Sequence, residues 1–375
     1  MSSEFNRRDL LSLGGAGLLS GVAGAAGVES QVTQQQVTST FEGAAIGRPK
    51  NLILFMPDEM RADSLACYGN PVTKTPNLDK LAQEGARFDQ CHVQYPVCGA
   101  SRCAMLTGWP TSVRGHRSQY YFLRPEEPNL FRYLRQAGYD VFWFGKNDAL
   151  AAQSFYESVT EWSSAGAQVN AGSTAPRNLT PGSISMLYSP GSSDRRETGD
   201  YRLLQKAIAI LERTQKERPF CIFLPLFEPH PPYTIPADFY NMYSPSSLPP
   251  LAPPGLKKKP DYYAGIRKRY GLDKLDDQIF RKIRAVYYGQ VSYSDWLLGE
   301  LLAALDKTGH ASDTALFVTS DHGDYAGNYG LVEKWPSGLE DCLTRVPMIG
   351  RVPGAKQGVV GTDMVEMYDV MQTFL

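Results

Sequence analysis

Cys98 and Cys103 bracket Gly99, Ala100, Ser101 and Arg102 in the stretch YPVCGASRCAMLTGW, residues 95–109. Three chemistries suit such a pair: a metal knuckle, a buried or disulfide-linked pair, and a nucleophile. The C-x4-C spacing has no matching pair downstream, which argues against a zinc knuckle. The other cysteines, Cys67, Cys91, Cys221 and Cys342, are scattered and follow no small-domain disulfide pattern. If a helix begins at about Ala100, Cys98 lies at its amino end, where free N–H groups and the helix dipole favour anions. Arg102 is a helical neighbour whose guanidinium can turn toward the same anion. Cys98 is then the nucleophile candidate, and Cys103 a packing residue.

Oxygen and imidazole ligands occur elsewhere. PDEMRAD places Asp58 and Glu59 together, and SDHGDYAGNYG places Asp321 and His322 before Gly323. Taken alone, Asp58-Glu59 reads as a solvated turn or a helix cap. Together with Asp321-His322 it forms an oxygen-rich set with one imidazole, suited to Ca²⁺, Mg²⁺ or Mn²⁺ and lacking the thiolates that zinc would call for. Lys146, His230 and Lys334 are each, singly, a surface lysine or a structural histidine. Converging with Arg102 and a cation, they would hold a tetrahedral oxyanion and stabilise charge on its oxygens and leaving group. His116 suits a structural or substrate-orienting role, and His92 and His310 structural ones.

The elements that must position these groups follow from periodicity. Residues 50–56 (KNLILFM) form a short apolar run, the pattern of a buried strand. TPNLDKLAQEG reads as a helix with Thr75 as N-cap, Pro76 in its first turn and Gly85 at its end. ARFDQCHVQ alternates as a strand, ASRCAMLTG and EPNLFRYLRQAG read as helices, and YDVFWFG reads as a strand. Residues 163–193 are a Ser/Gly-rich loop. An amphipathic helix, GDYRLLQKAIAILERTQKE, feeds the strand PFCIFLPLF. SPSSLPPLAPPGLKKKP is a long loop that could cover a site, followed by a long helical stretch from Asp277 and the strand DTALFVTSD. This alternation predicts an α/β fold with a mostly parallel central sheet and helices on both faces. Ligands in such folds sit beyond the carboxyl ends of the strands. Asp58-Glu59, Lys146, His230 and Asp321-His322 all fall at those ends.

The formal net charge is −1, so no global field favours nucleic acid or an anionic membrane, and an anion must be caught locally. NRRDLLSLGGAGLLSGVAGAAG, with Arg7-Arg8 before a weakly apolar, glycine-rich run, reads as a twin-arginine export signal over residues 1–28. It is too short and glycine-rich for a transmembrane helix. Residues 29–48 read as a linker, and 49–375 as the catalytic domain. The expected location is periplasmic or extracellular, with the twin-arginine machinery as a partner and without stable membrane insertion.

The motif set resembles the sulfatase family of the alkaline-phosphatase-like superfamily. Cys98-Gly99-Ala100-Ser101-Arg102, then Leu106-Thr107-Gly108, matches the family's first signature, and EPHPPY, TSDHGDYAGNYGLVEKW and TRVPMIGRVPG match further blocks. The resemblance covers about residues 49–375. It implies that Asp58, Asp321, His322 and the modified Cys98 bind a divalent metal, Ca²⁺ first, with Glu59 at the position of a further ligand. Arg102, Lys146, His230 and Lys334 would hold the sulfate. A maturation enzyme would oxidise Cys98 to formylglycine, whose hydrate attacks sulfur, and His230 would protonate the leaving oxygen. The implied activity is hydrolysis of a small-molecule or carbohydrate sulfate ester. Hydrolysis of phosphonate monoesters or phosphodiesters, and inactive binding of sulfated glycans, are the alternatives. Ala100 replaces a commoner proline, Glu59 a commoner aspartate, and Asp148 stands where members often have histidine. The family's usual carboxy-terminal antiparallel subdomain is expected to be largely missing.

Overall fold

The computed structural model describes residues 49–164, 188–214, 218–255, 259–336 and 338–375. The export signal and linker read from the sequence lie outside these residues. The main sheet has eight strands in the order β10-β2-β9-β8-β1-β6-β3-β4. They are β1 (Asn51–Pro57), β2 (Ala86–His92), β3 (Asp140–Phe144), β4 (Glu161–Ser163), β6 (Phe220–Leu226), β8 (Thr314–Thr319), β9 (Met348–Arg351) and β10 (Val359–Glu366). A small parallel pair joins β5 (Tyr188–Pro190) to β7 (Tyr233–Ile235). Within the main sheet only β9 runs against its neighbours, β2 and β8. The expected α/β architecture is therefore the observed one.

Strands β1, β6 and β8 are buried at every residue, as central strands covered on both faces must be. Their side chains alternate between two cores. Ile53, Phe55, Ile222, Leu224, Leu316 and Val318 face one, with Leu203 and Leu204 of a helix at Gly199–Arg213 and Val286 and Leu297 of a helix at Asp277–Thr308. Leu52, Leu54, Cys221, Phe223 and Phe317 face the other, with Met105, Phe131 and Phe374 from helices at Cys98–Thr107, Leu130–Gln136 and Tyr368–Phe374. We call these helices, together with Pro76–Glu84, α1 (76–84), α2 (98–107), α3 (130–136), α4 (199–213), α5 (277–308) and α6 (368–374).

Capping chemistry sets several ends. Asn129 accepts hydrogen bonds from Phe131 and Arg132 N–H at the start of α3, Thr198 from Tyr201 N–H at α4, and Asp276 from Ile279 N–H at α5. Gly309 closes α5 in the left-handed region, at φ 74°. Thr75 does not cap α1 as its position suggests. Its hydroxyl instead contacts Asp79 Oδ1 at 3.2 Å and accepts from Ala66 N at 3.1 Å. Helix α2 starts two residues earlier than the sequence suggested, with Cys98 as its first residue.

Candidate active site

The neighbouring strands β8, β1, β6 and β3 all point their carboxyl ends the same way. Asp58 and Glu59 follow β1, Asp321 and His322 follow β8, His230 follows β6, and Lys146 follows β3. Helix α2 delivers Cys98 to this edge, and Lys334 arrives on the loop after Asn328–Gly330. All the sequence-predicted site residues therefore converge, although more than 260 positions separate Asp58 from Asp321 in the chain.

Cys98 is fully buried. Its sulfur lies 3.1 Å from His322 Nε2, 3.5 Å from Lys146 Nζ and 3.6 Å from Asp58 Oδ1. Burial, and then the Asp58 charge, push the thiol up to about 12. The reactive thiolate is therefore suppressed, which disfavours the unmodified sulfur as the nucleophile. All six cysteines are free, so the disulfide alternative falls as well. Cys103 packs in the core with its sulfur 3.6 Å from Ala149 O.

Arg102, also fully buried, bridges the two aspartates. Its Nε donates to Asp321 Oδ2 at 2.8 Å and its Nη2 to Asp58 Oδ2 at 3.0 Å. Nη1 donates to Lys146 O at 3.2 Å. One oxygen of each carboxylate is thus held by the guanidinium. The remaining Oδ1 atoms lie 3.6 Å (Asp58) and 3.9 Å (Asp321) from His322 Nε2. Burial alone would raise the Asp58 carboxyl, but Lys146, 2.6 Å away, and Arg102 hold it well below the usual carboxylate range.

His322 Nδ1 donates to Gly323 O at 2.9 Å, which leaves Nε2 as a lone-pair donor facing Cys98 and Asp58. One ligand atom each from Asp58, Cys98, Asp321 and His322 lies within 4.8 Å of the others. A second group joins Asp58, Glu59 and His230. Glu59 Oε1 is buried with no hydrogen-bond partner among the described residues. A hard divalent cation fits this set: two anionic oxygens, one correctly oriented imidazole and an unsatisfied carboxylate oxygen.

Glu59 has φ 70°, an unusual value for a residue other than glycine. Its backbone is fixed from both sides: its N–H donates to Asp321 Oδ1 at 3.2 Å, and its carbonyl accepts from Tyr287 Oη at 2.9 Å. Such strain, of about 1–3 kcal/mol, persists only where the surroundings over-determine it. Burial raises the Glu59 carboxyl well above its ordinary value, with Lys334 partly opposing. Lys334 Nζ lies 3.0 Å from Glu59 Oε2 and 2.6 Å from His230 Nε2. Burial, then Lys334 and Lys146, hold His230 well below its ordinary value and hence neutral. Its Nδ1 donates to Pro231 O at 2.5 Å, so Nε2 accepts from Lys334.

Several supporting residues were not singled out in the sequence. Gln119 Oε1 accepts from Gly99 N at 2.6 Å at the start of α2. A Cβ on Gly99 would stand 2.6 Å from that oxygen, so the glycine allows the contact. Ser320 Oγ accepts from Met60 N and donates to Pro57 O, both at 2.8 Å, tying β8 to the end of β1. Asp324 accepts from Tyr233 Oη and from Ala326 N. Only Ser320 and Asp324 carried a signal, as polar neighbours of Asp321-His322. Gln119 stands in loop sequence with none. Among the histidines outside the site, His116 bonds Tyr121 O and Glu127 Oε1, consistent with a structural or orienting role.

A mostly parallel sheet carrying a buried Asp/Asp/His cluster and a helix-borne cysteine at its carboxyl edge defines an α/β protein with a candidate metal and oxyanion site. The Sulfatase family model matches residues 50–375, and the chain belongs to the sulfatase family. It is 30% identical over 347 residues to iduronate 2-sulfatase of Homo sapiens, a match covering 81% of this chain and 60% of that protein. It is 25% identical to an arylsulfatase of Clostridium perfringens, covering 87% of this chain and 74% of the relative. In fold it resembles the crystal structure of the phosphonate monoester hydrolase of Agrobacterium radiobacter. The TM-score is 0.71 at 23% identity, covering 86% of this chain and 72% of that one. The chain thus spans about 60% of the length of the iduronate 2-sulfatase it matches. No helix among the described residues is long and apolar enough to cross a membrane.

Proposed function

We propose that this protein hydrolyses sulfate esters, releasing inorganic sulfate and an alcohol, with Cys98 oxidised to formylglycine as the nucleophilic residue. The observation that carries the reading is the position of Cys98. It is buried at the first turn of α2, among Asp58, His322 and Lys146, with its thiolate suppressed. The aldehyde introduced at residue 98 would add water to give a geminal diol; one hydroxyl would attack sulfur as the alcohol leaves, and loss of the other's proton would reform the aldehyde and expel sulfate. A divalent cation, Ca²⁺ by preference and otherwise Mn²⁺ or Mg²⁺, would be held by Asp58, Asp321, His322 and residue 98, with Glu59 beside it; it would polarise the oxyanion and offset its charge.

The chain's own residues do the rest. Arg102 holds one carboxylate oxygen each of Asp58 and Asp321 in register. Lys146 sits beside the reacting atom and offers a hydrogen bond to an ester oxygen. His230 is neutral and its Nε2 accepts from Lys334 Nζ, so the proton delivered to the leaving oxygen comes from the Lys334 ammonium, which is left as the neutral amine hydrogen-bonded to His230. The substrate is a small-molecule or carbohydrate sulfate ester. The proposed partners are a formylglycine-generating maturation enzyme and the twin-arginine machinery, and the compartment is periplasmic or extracellular.

The test is mass spectrometry of the tryptic peptide Phe88–Arg102 after co-expression with a maturation enzyme, with thiol alkylation and a carbonyl-reactive hydrazide, followed by turnover of an aryl sulfate. A hydrazone at residue 98 with Cys91 alkylated, and sulfate release lost on chelation, is expected. Two alkylated thiols, with a control sulfatase matured in parallel, would overturn the nucleophile. Preferential turnover of an aryl phosphonate monoester would replace sulfate as the substrate. Sulfated-glycan binding that survives Cys98→Ala without any turnover would point to an inactive binder.

A further inference from the structure

We propose that Asp148 is a specificity-determining residue whose carboxylate biases the site toward tetrahedral ester groups with a single negative charge and against dianionic phosphate monoesters. The inference rests on the reading of the site as an oxyanion ester hydrolase and adds what that site excludes.

Lys146 contacts three groups at once. Its Nζ lies 2.6 Å from Asp58 Oδ2, 3.5 Å from Cys98 Sγ and 2.9 Å from Asp148 Oδ2. The cation beside the reacting atom is therefore shared with a second carboxylate. Asp148 is mostly buried, its side chain 16% exposed, so solvent screens its charge poorly.

Its position is fixed by its neighbours. Asn147 Oδ1 accepts from Ala149 N and Leu150 N, and Asn147 Nδ2 donates to Leu150 O, which closes the turn around residue 148. The Asp148 carbonyl packs 3.4 Å from where a Cβ on Gly99 would stand, against the first turn of α2.

Two carboxylates share Lys146, but their charges are met differently. Asp58 Oδ2 accepts aligned hydrogen bonds from both Arg102 and Lys146. Asp148 Oδ2 is close to Lys146 but off axis, and has no hydrogen-bond partner among the described residues. Asp58 is thus met by two cations and Asp148 by Lys146 alone, so the Asp148 charge bears on whatever anion Lys146 holds.

A sulfate ester and a phosphonate monoester carry one negative charge. A phosphate monoester of the same tetrahedral shape carries nearly two above pH of about 7, because its second proton leaves near 6. Coulomb repulsion scales with charge, so a fixed carboxylate opposes the dianion about twice as strongly as the monoanion.

The experiment uses the full chain as wild type, Asp148→Asn and Asp148→Glu, matched for thermal stability. Binding of methyl sulfate, a monoanion, and methyl phosphate, nearly a dianion, is titrated at pH 8. Then kcat/KM is measured for 4-nitrophenyl sulfate, 4-nitrophenyl methylphosphonate and 4-nitrophenyl phosphate. Asp148→Asn is expected to raise the phosphate-to-sulfate ratio, in binding and in turnover, at least tenfold. It should leave the ratio of the two monoanionic esters within about twofold. Asp148→Glu should restore the wild-type ratio. A carboxylate that only props Lys146 would lower all three substrates together, and an unchanged ratio in Asp148→Asn overturns the inference. So does an Asp148→Glu variant that shifts the ratio as far as Asp148→Asn, or a wild-type chain that binds neither anion. A wild type that binds both anions but cleaves no sulfate ester defeats the proposed activity, while the binding ratio still decides the role of Asp148.

Discussion

Lys334 Nζ stands 2.6 Å from His230 Nε2, and the His230 Nδ1 proton is already committed to Pro231 O. The imidazole is thereby fixed as a neutral acceptor of the lysine's proton, and any acid at this point in the site is the pair and not the histidine alone.

Replacing Lys334 by Met should lower kcat for sulfate esters on the order of 100-fold or more, the usual effect of losing general acid catalysis. The loss should be larger for alkyl than for 4-nitrophenyl esters, because a good leaving group needs less protonation. Comparing the two substrates in the wild type and the variant checks this. An equal loss on both would assign Lys334 to oxyanion binding alone.

Arg102→Met should destabilise the fold by about 3–5 kcal/mol, because it leaves Asp58 and Asp321 buried without their shared cation. Arg102→Lys should recover only part of this, since an ammonium cannot reproduce the fork that reaches both carboxylates. Denaturant unfolding of the three proteins measures it. A divalent cation added to Arg102→Met should restore more stability than it adds to the wild type.

Asp200, beneath the loop that carries His230, accepts from Phe227 N and Glu228 N. Burial nonetheless pushes its carboxyl from 3.8 up to about 6. A carboxyl raised on folding contributes stability that is fully present below its unfolded value and is lost as pH rises through the folded one. The contribution of Asp200 should therefore fall between about pH 4 and pH 6. Measured as a difference between wild type and Asp200→Asn, the substitution should be less harmful at pH 7 than at pH 4. The opposite slope would show that the amide donors outweigh burial.

Gly145 has φ 151°, and a Cβ there would stand 2.1 Å from Pro225 O, the acceptor for Lys146 N. Gly138, at φ 90°, has open space around it. Gly138→Ala should cost only the strain of a left-handed alanine, on the order of 1 kcal/mol. Gly145→Ala should cost more and also reduce activity by displacing Lys146. Thermal unfolding together with turnover separates the two variants.

Much of this was readable from residue order. Apolar runs within 51–57, 220–226 and 314–319 are the signature of strands buried on both faces, and each element there occurs where the pattern placed it. Local chemistry also located the candidate residues, because polar side chains immediately after such runs have to lie at one edge of a parallel sheet. The capping role expected of Thr75 failed because a tertiary partner, Ala66 N, took its hydroxyl. The antiparallel entry of β9 between β2 and β8 left no local trace, since strand direction depends on where the chain returns and not on periodicity.

What the sequence by itself determined is the α/β alternation, the membership of Asp58, Lys146, His230, Asp321 and His322 in one polar edge, and a helix opening close to Cys98. Only the tertiary structure decided how charge is distributed there. Arg102 holds one oxygen from each of two aspartates, Glu59 is held at positive φ by Tyr287 and Asp321, and Lys146 is divided between Asp58 and Asp148. Most of these relationships join residues tens to hundreds of positions apart. Their strength comes from burial, which removes water from between charges, and burial is a property of the packed fold and not of any local stretch of chain.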